Sequence, residues 1–434
     1  MIATTHQGGT PLFPFSTIVH SASVSFRECP FSTPLILSHA TIHTITEATA
    51  TVEVEVDGHR ATGRGAIYLS DLWAWPDPSL SHEDRDARLR SLCESLASDL
   101  YTHCGGEPAH PLELGLRLHS AAIALADIPA LASGMCASPF DAAIHDAVGN
   151  ALGVSAFALY QTPVPLPSAD PYFRGSACEA IAALLVQPTR RLPAWYIAGK
   201  NDGAAELRPW IVDRGYRAIK LKLLGKDATA DARRTAEVYR LARQMANAEI
   251  QLSVDSNEGN PTVESVVDYL EALQALDADA FRALAYLEQP TSRDIRQHPV
   301  DWRPATALRP VLLDEGLVSL HELDLALEQG WSGLALKTCK GHSFALTAAA
   351  WAQEHGMLLS IQDLTNSGLA MIHAAWFAAH VPNINGVELN SPQFTPAANA
   401  EILPHFPELV SPTNGYHILP ETVPTGLGAT IPTT

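Results

Sequence analysis

Between residues 192 and 389, short apolar runs recur at a nearly even interval, and an amphipathic stretch separates each from the next. The runs fall at 192–198, 217–223, 250–255, 284–288, 309–314, 333–337, 357–362 and 384–389. From the second onward they end at 222, 255, 288, 314, 337, 362 and 388, so the intervals are 33, 33, 26, 23, 25 and 26 residues. Runs this short and this apolar read as strands covered on both faces, the habit of parallel sheets. The stretches between them, for example 230–246 and 319–328, carry helical spacing. Regular strand–helix units in this number predict an α/β barrel of the TIM type. An open doubly wound sheet fits less well, because no glycine-rich phosphate loop follows the first run.

The N-terminal part follows a different grammar. Residues 1–20 are rich in Thr, Pro and Gly and read as a surface-wrapping lead. Residues 40–46 and 50–56 alternate and are β-branched, Asp57-Gly58 makes a turn, and 61–68 returns, which predicts a three-stranded antiparallel meander. Helices are expected over 85–101, opened by Ser81, and over 111–126. A third is expected with Ser138 as N-cap and Pro139 at its first position, stopping at Gly153. Meander then helices makes an α+β domain. The predicted organisation is a lead over 1–20, an α+β domain over 21–190, a barrel over 191–396 and a tail over 397–434. That tail is Pro-rich, is expected to have no helix of its own, and is expected to fold back on the N-terminal domain.

Composition narrows the partners. A formal net charge of -19 over 434 residues argues against nucleic acid and anionic membrane surfaces. A small anionic substrate stays compatible, since a metal and a few lysines reverse the field inside a mouth. The six cysteines show no C-x-x-C spacing and read as free thiols of a reducing compartment. No basic-then-apolar leader opens the chain and no long uncharged apolar stretch occurs, so a cytoplasmic enzyme is expected.

In a barrel, chemistry gathers at the C-terminal ends of the strands. The second strand presents Lys220 and Lys222 on one face, where lysine is seldom buried without a partner. The third ends in Asp255 with Asn257 after it, the fourth in Glu288, the fifth in Asp314-Glu315 and the sixth in Lys337. Carboxylates on three neighbouring ends repel unless a hard cation joins them, and Asp255, Glu288 and Asp314 suit Mg²⁺. No His or Cys cluster stands at a strand end, which disfavours zinc. Lys222 or Lys337 serves as general base, with Lys220 as the neighbouring cation that perturbs Lys222 and orients a substrate carboxylate. Two working bases allow epimerisation; one base with an electrostatic prop allows elimination or ring opening and closing. Lys340 and His342 read as helix-start residues, and Trp73 and Trp75 as packing under a loop.

The ordered set Lys-x-Lys, Asp-x-Asn, Glu-Gln-Pro, Asp-Glu and a sixth-strand lysine resembles the enolase superfamily in its muconate-lactonising-enzyme subgroup. The stretch from Phe140 to Asp146 is similar to the capping-domain helix of that family, and Asn414 to Gly428 to its C-terminal tail. The resemblance implies a (β/α)7β barrel under an α+β capping domain and a homo-oligomer. It implies Asp255, Glu288 and Asp314 as Mg²⁺ ligands, Lys222 and Lys337 as the acid/base pair, and Asn257 and Glu315 as their support. The implied reaction is α-proton abstraction from a carboxylate through an enediolate, foremost as a racemase or epimerase. A lyase of the cycloisomerase or acid-sugar dehydratase kind is the alternative, and a barrel that only binds is the reading from another class. The chain departs from the family at three places. Lys340-Gly341-His342 stands where Gly-Gly is common. The seventh strand ends without a histidine, leaving Asp363 as a substrate contact. The eighth carries Glu388 and Asn390 where dipeptide epimerases carry two aspartates.

Overall fold

The computed structural model describes residues 14–36, 41–125 and 127–429. Strands β1 (Thr17–Ile36), β2 (Thr41–Val56) and β3 (His59–Tyr68) form an antiparallel sheet in that order. This corrects the sequence reading twice. Residues 40–46 and 50–56 belong to one strand, because Glu47, Ala48 and Thr49 keep partners on both sides: Arg27, Phe26 and Ser25 in β1, and Tyr68, Ile67 and Ala66 in β3. The third strand is β1, which begins inside the expected lead. Its period was hidden by serines: Ser21, Ser23 and Ser25 are exposed while Ala22, Val24 and Phe26 are half-buried. Residues 1–13 of that lead lie outside the described residues. The β2–β3 hairpin turns through Asp57 (φ 51°) and Gly58 (φ 76°), the left-handed pair a two-residue loop demands.

A long buried helix, Ala130–Leu152, packs on this sheet. A Cβ on Gly63 would stand 2.1 Å from the Ala147 nitrogen, and one on Gly65 would stand 2.0 Å from the Pro139 oxygen. Sheet and helix therefore meet backbone to backbone. The helix starts eight residues before the predicted cap, so Ser138 and Pro139 lie inside it. Pro139 lacks the N–H that would serve the Met135 carbonyl, and the Ser138 hydroxyl donates to that carbonyl instead, at 2.8 Å.

The barrel sheet runs β5 (Trp195–Ala198), β6 (Ala218–Lys222), β7 (Gln251–Asp255), β8 (Leu284–Glu288), β9 (Val311–Leu313), β10 (Gly333–Lys337), β11 (Leu358–Gln362) and β12 (Val387–Glu388). These eight parallel strands are hydrogen-bonded in sequence order. The Ala194–Val387 bridge brings the two ends of the sheet together. A short β4 (Arg191–Pro193) precedes β5 and pairs with β13 (Tyr416–Ile418). Helices alternate with the strands, as in Ala228–Ala246, whose Asp227 side chain accepts the Ala230 N–H.

The tail does hold a short helix, Pro407–Val410, contrary to expectation, since Pro407 fits a first helical turn. Further on it docks on the cap. Gly426 exchanges backbone hydrogen bonds with Val154 and Ala156, and Asp146 accepts the Leu427 N–H at 2.8 Å. All six cysteines are free and buried. Among the described residues, no helix is long and apolar enough to cross a membrane.

Candidate active site

The ends of the barrel strands open into one cavity beneath the cap. Lys220, Lys222, Asp255, Glu288, Asp314 and Lys337 line it, and so do Asn257, Asp363, Glu388 and Asn390. The structure thus brings together every sequence-predicted site residue but Glu315, which stands behind Asn257. In β6 the pleat turns Ile219 and Leu221 into the layer between strands and helices and sends both lysines to the inside. Strands β6 and β10 are separated by three strands either way round the barrel, so Lys222 and Lys337 come from opposite walls.

Each lysine is matched to carboxylates. Lys220, 2% exposed, donates to Glu288 at 2.8 Å and to Glu388 at 3.0 Å. Lys222 donates to Asp255 at 2.5 Å and to the Asn257 oxygen at 2.9 Å. Lys337 pairs with Asp314 and lies 3.5 Å from Glu288. Asn257 ties the set together, its amide donating to Asp255 at 3.1 Å and to Glu315 at 3.2 Å. The Glu-Gln-Pro motif has a local role: the Gln289 side chain accepts the backbone N–H of Asp314 and of Gly316, both at 3.0 Å, and so fixes the loop that presents Asp314.

Four residues carry more than the sequence reading assigned. Lys340 is no simple helix-start residue. The 3-10 turn Thr338–Lys340 folds its ammonium inward, where it donates to the Asp314 carbonyl at 2.5 Å and stands 3.1 Å from Asp314 Oδ1. Gln362 ends β11 and bridges Lys220 to Glu288, donating to the latter at 2.5 Å. Trp73, from the cap, donates to Glu315 at 2.9 Å and places its ring 5.5 Å from the Lys337 nitrogen. Phe31, also from the cap, lines the mouth. Nothing local in the sequence marks Trp73, because its place depends on how cap meets barrel; Phe31 falls in the 27–33 segment that the family resemblance points to over the barrel mouth.

Burial would lower Lys337, but Asp314 and Glu288 outweigh it and hold the ammonium well above its ordinary range. Lys220 is likewise raised against burial, by Glu288, Glu388 and Asp255. Burial would raise Asp255 and Asp314; their lysines reverse this and hold both low. Elsewhere burial wins. It pushes Glu288 up to about 7 against the pull of Lys220 and Lys337. Burial, with Asp314 and Asp255 nearby, pushes Glu315 up to about 8. Asp363 is raised well above its usual range by burial and by Glu388. Burial thus holds part of the carboxyl set toward its neutral form, and a divalent cation bound there would favour the ionised form of Glu288. The donors Asp255, Glu288 and Asp314 are all hard oxygens on adjacent strand ends, the kind Mg²⁺ takes. Among the described residues, no three His, Cys, Asp or Glu side chains form a ready metal cluster; the Lys220 and Lys337 ammoniums stand between the carboxylates. The site fits a cation once those two ammoniums turn aside.

Fold and mouth define a capped (β/α) barrel with lysines and carboxylates at the strand ends. The chain belongs to the enolase superfamily: the family model described as Enolase C-terminal domain-like matches residues 202–433. An aromatic dipeptide epimerase of Herpetosiphon aurantiacus is 29% identical over 204 residues, 45% of this chain and 53% of the relative. The chain thus matches about half the length of that curated relative. Solved structures share the fold over nearly the whole chain. A muconate lactonizing enzyme from Pseudomonas fluorescens, complexed with muconolactone, has a TM-score of 0.63 at 16% identity, covering 96% of this chain and 97% of its own. A dipeptide epimerase from Enterococcus faecalis V583, complexed with Mg and the dipeptide L-Leu-L-Tyr, has a TM-score of 0.63 at 15% identity, covering 95% and 99%.

Proposed function

We propose that the mouth removes and returns the α-proton of a small carboxylate substrate, with Mg²⁺ held by Asp255, Glu288 and Asp314, and that the product is the substrate's epimer. The observation that carries this reading is the placement of Lys222 and Lys337 on opposite walls of one cavity. Bound there, Mg²⁺ would supply the positive charge that acidifies the proton beside a carboxylate. Lys222 and Lys337 do the proton work, one taking it from one face and the other returning it to the opposite face. Carboxylates engaged with a cation hold Lys337 less tightly, which brings its ammonium toward a usable base. Lys220, turned from Glu288 and kept by Glu388, holds a positive charge beside Lys222 and faces the substrate carboxylate. Asp363 Oδ2 and Asn390 Oδ1 are buried at the mouth without hydrogen-bond partners. The Asn390 oxygen wants a donor, so the substrate carries an N–H or O–H group within its reach, while the Asp363 carboxyl, whose proton burial retains, pairs with a donor or an acceptor. Relatives that are epimerases support the same reading.

The test is proton exchange. Amino acids, dipeptides, sugar acids and hydroxy acids are incubated with enzyme and Mg²⁺ in D₂O and followed by NMR. Deuterium at the α-carbon with inversion, abolished by chelation of the metal, is the expected result. Loss of water or ring closure would move the assignment to a lyase. No exchange with any of these carboxylates would end it.

A further inference from the structure

A cavity of about 430 Å³ lies beyond the mouth, on the far side of Glu315. The mouth itself encloses only about 60 Å³. That is room for about two waters, whereas sites for organic ligands span roughly 300–1,000 Å³. The outer cavity is in the ligand range. Its apolar walls include Trp75 and Pro76 from the cap, Leu131 from the start of the long helix, and Ile295 and Val318 from barrel loops.

Its charged lining is acidic. Asp77, Asp294, Glu315 and Glu322 face it, against Arg293 and Arg296. Neither arginine is free: Arg293 donates to Glu258 at 2.7 Å and Arg296 to Glu322 at 2.8 Å. Glu315 is the exception to this pairing. Its Oε1 accepts from Trp73 and Asn257, while its Oε2 has no hydrogen-bond partner although the residue is only 1% exposed. The Oε2 oxygen, unpartnered at the wall of an acidic, apolar-walled space, is satisfied by a group that brings both a hydrogen-bonding proton and a positive charge, which favours the ionised carboxylate. Glu315 and Trp73 also stand between the two spaces, since Trp73 lines the mouth and its neighbours Ala74 and Trp75 line the cavity. Turning the Trp73 side chain breaks a single side-chain hydrogen bond, the one to Glu315.

We propose that this cavity binds an organic ammonium group on an apolar stem, paired with Glu315, and that this group is the far end of the substrate whose carboxylate sits in the mouth. The second half rests on the functional reading above; the first does not.

Phenethylammonium chloride is the probe, titrated calorimetrically into Mg²⁺-loaded enzyme. Binding to the unaltered protein is expected. Ala130→Trp puts an indole into the cavity from the first residue of the long helix and is expected to weaken binding at least tenfold. If Ala130→Trp does not fold, Val318→Phe fills the space from the opposite wall with the same expectation. Glu315→Gln is expected to weaken binding about fivefold or more. No binding to the unaltered protein, or binding indifferent to the filling variants, overturns the site. In the exchange assay the probe is expected to raise KM and leave kcat unchanged. An unchanged KM for a substrate that exchanges overturns the substrate-end assignment and leaves a separate small-molecule site. If no carboxylate exchanges at all, the functional reading and the substrate-end assignment fall together, while the titration still decides the cavity.

Discussion

Lys340→Met removes a buried charge that the sequence alone would place at the start of a helix. The lysine is 2% exposed and Asp314 is 1% exposed. Its ammonium donates to the Asp314 carbonyl at 2.5 Å and stands 3.1 Å from the Asp314 carboxylate. Methionine has nearly the same length and fills the same space, so packing changes little. Breaking a buried ion pair by removing one partner costs roughly 3–5 kcal/mol. Lys337 keeps a second ammonium on Asp314, which places the expected loss at the lower end, about 3 kcal/mol. Urea unfolding followed by circular dichroism measures it, with the loss read from the shift in midpoint. Pairing Lys340→Met with Asp314→Asn isolates the contact: with the carboxylate neutral, the lysine substitution is expected to cost about 1–2 kcal/mol less. A loss below about 0.5 kcal/mol, the scale of an ordinary surface change, refutes the buried role.

Gly65→Ala forces a methyl within 2.0 Å of the Pro139 carbonyl and 2.9 Å of Ala142 Cβ, so β3 must lift from the long helix; a loss of about 2–3 kcal/mol in urea unfolding is expected, and a neutral result contradicts the backbone-to-backbone packing. Acid should destabilise the fold through histidines buried as neutral rings. Burial, helped at His110 by His145, lowers His110 and His373 to about 3, and burial lowers His417 to about 4. Their folded values lie below the unfolded value near 6.5, so the unfolded chain binds more protons below that pH. Stability is therefore full above about pH 6.5 and falls as pH drops toward the folded values, by about 1.4 kcal/mol per pH unit for each ring. Replacing His373 by Gln should flatten this slope by about one such increment, and an unchanged slope contradicts the assignment. Added Mg²⁺ should stabilise the folded protein by about 2.7 kcal/mol at one hundred times its dissociation constant, read as a rise in melting temperature that chelation reverses; no rise contradicts the cation reading.

The barrel was legible because each strand is apolar on both faces and the spacing repeats, a pattern that local chemistry writes directly into the chain. The charged strand ends were legible for the same reason: Lys220, Asp255, Glu288 and Lys337 interrupt apolar runs where charge is costly. Asp314 sits one residue past the end of β9, yet it still faces the mouth because Gln289 holds its loop. The cap was read less well. Serines masked the alternation of β1, and Pro139 mimicked a helix start although Ser138 repairs the missing hydrogen bond from within. Trp73 and Lys340 were beyond reach for a different reason. Trp73 enters the mouth only because the cap docks on the barrel, and Lys340 only because a 3-10 turn swings its side chain back over Asp314. Contacts of that kind depend on distant chain segments, and no local period announces them.

Two lysines working from opposite walls make a direct demand on isotope exchange. Lys222→Ala and Lys337→Ala are each incubated with both epimers of the substrate in D₂O and Mg²⁺. Each variant is expected to lose interconversion by about 10²–10⁴-fold. Each is also expected to keep exchange of the α-proton on one epimer only, and the two variants on opposite epimers. Full interconversion by both variants, or loss of exchange on the same epimer in both, contradicts the two-base site.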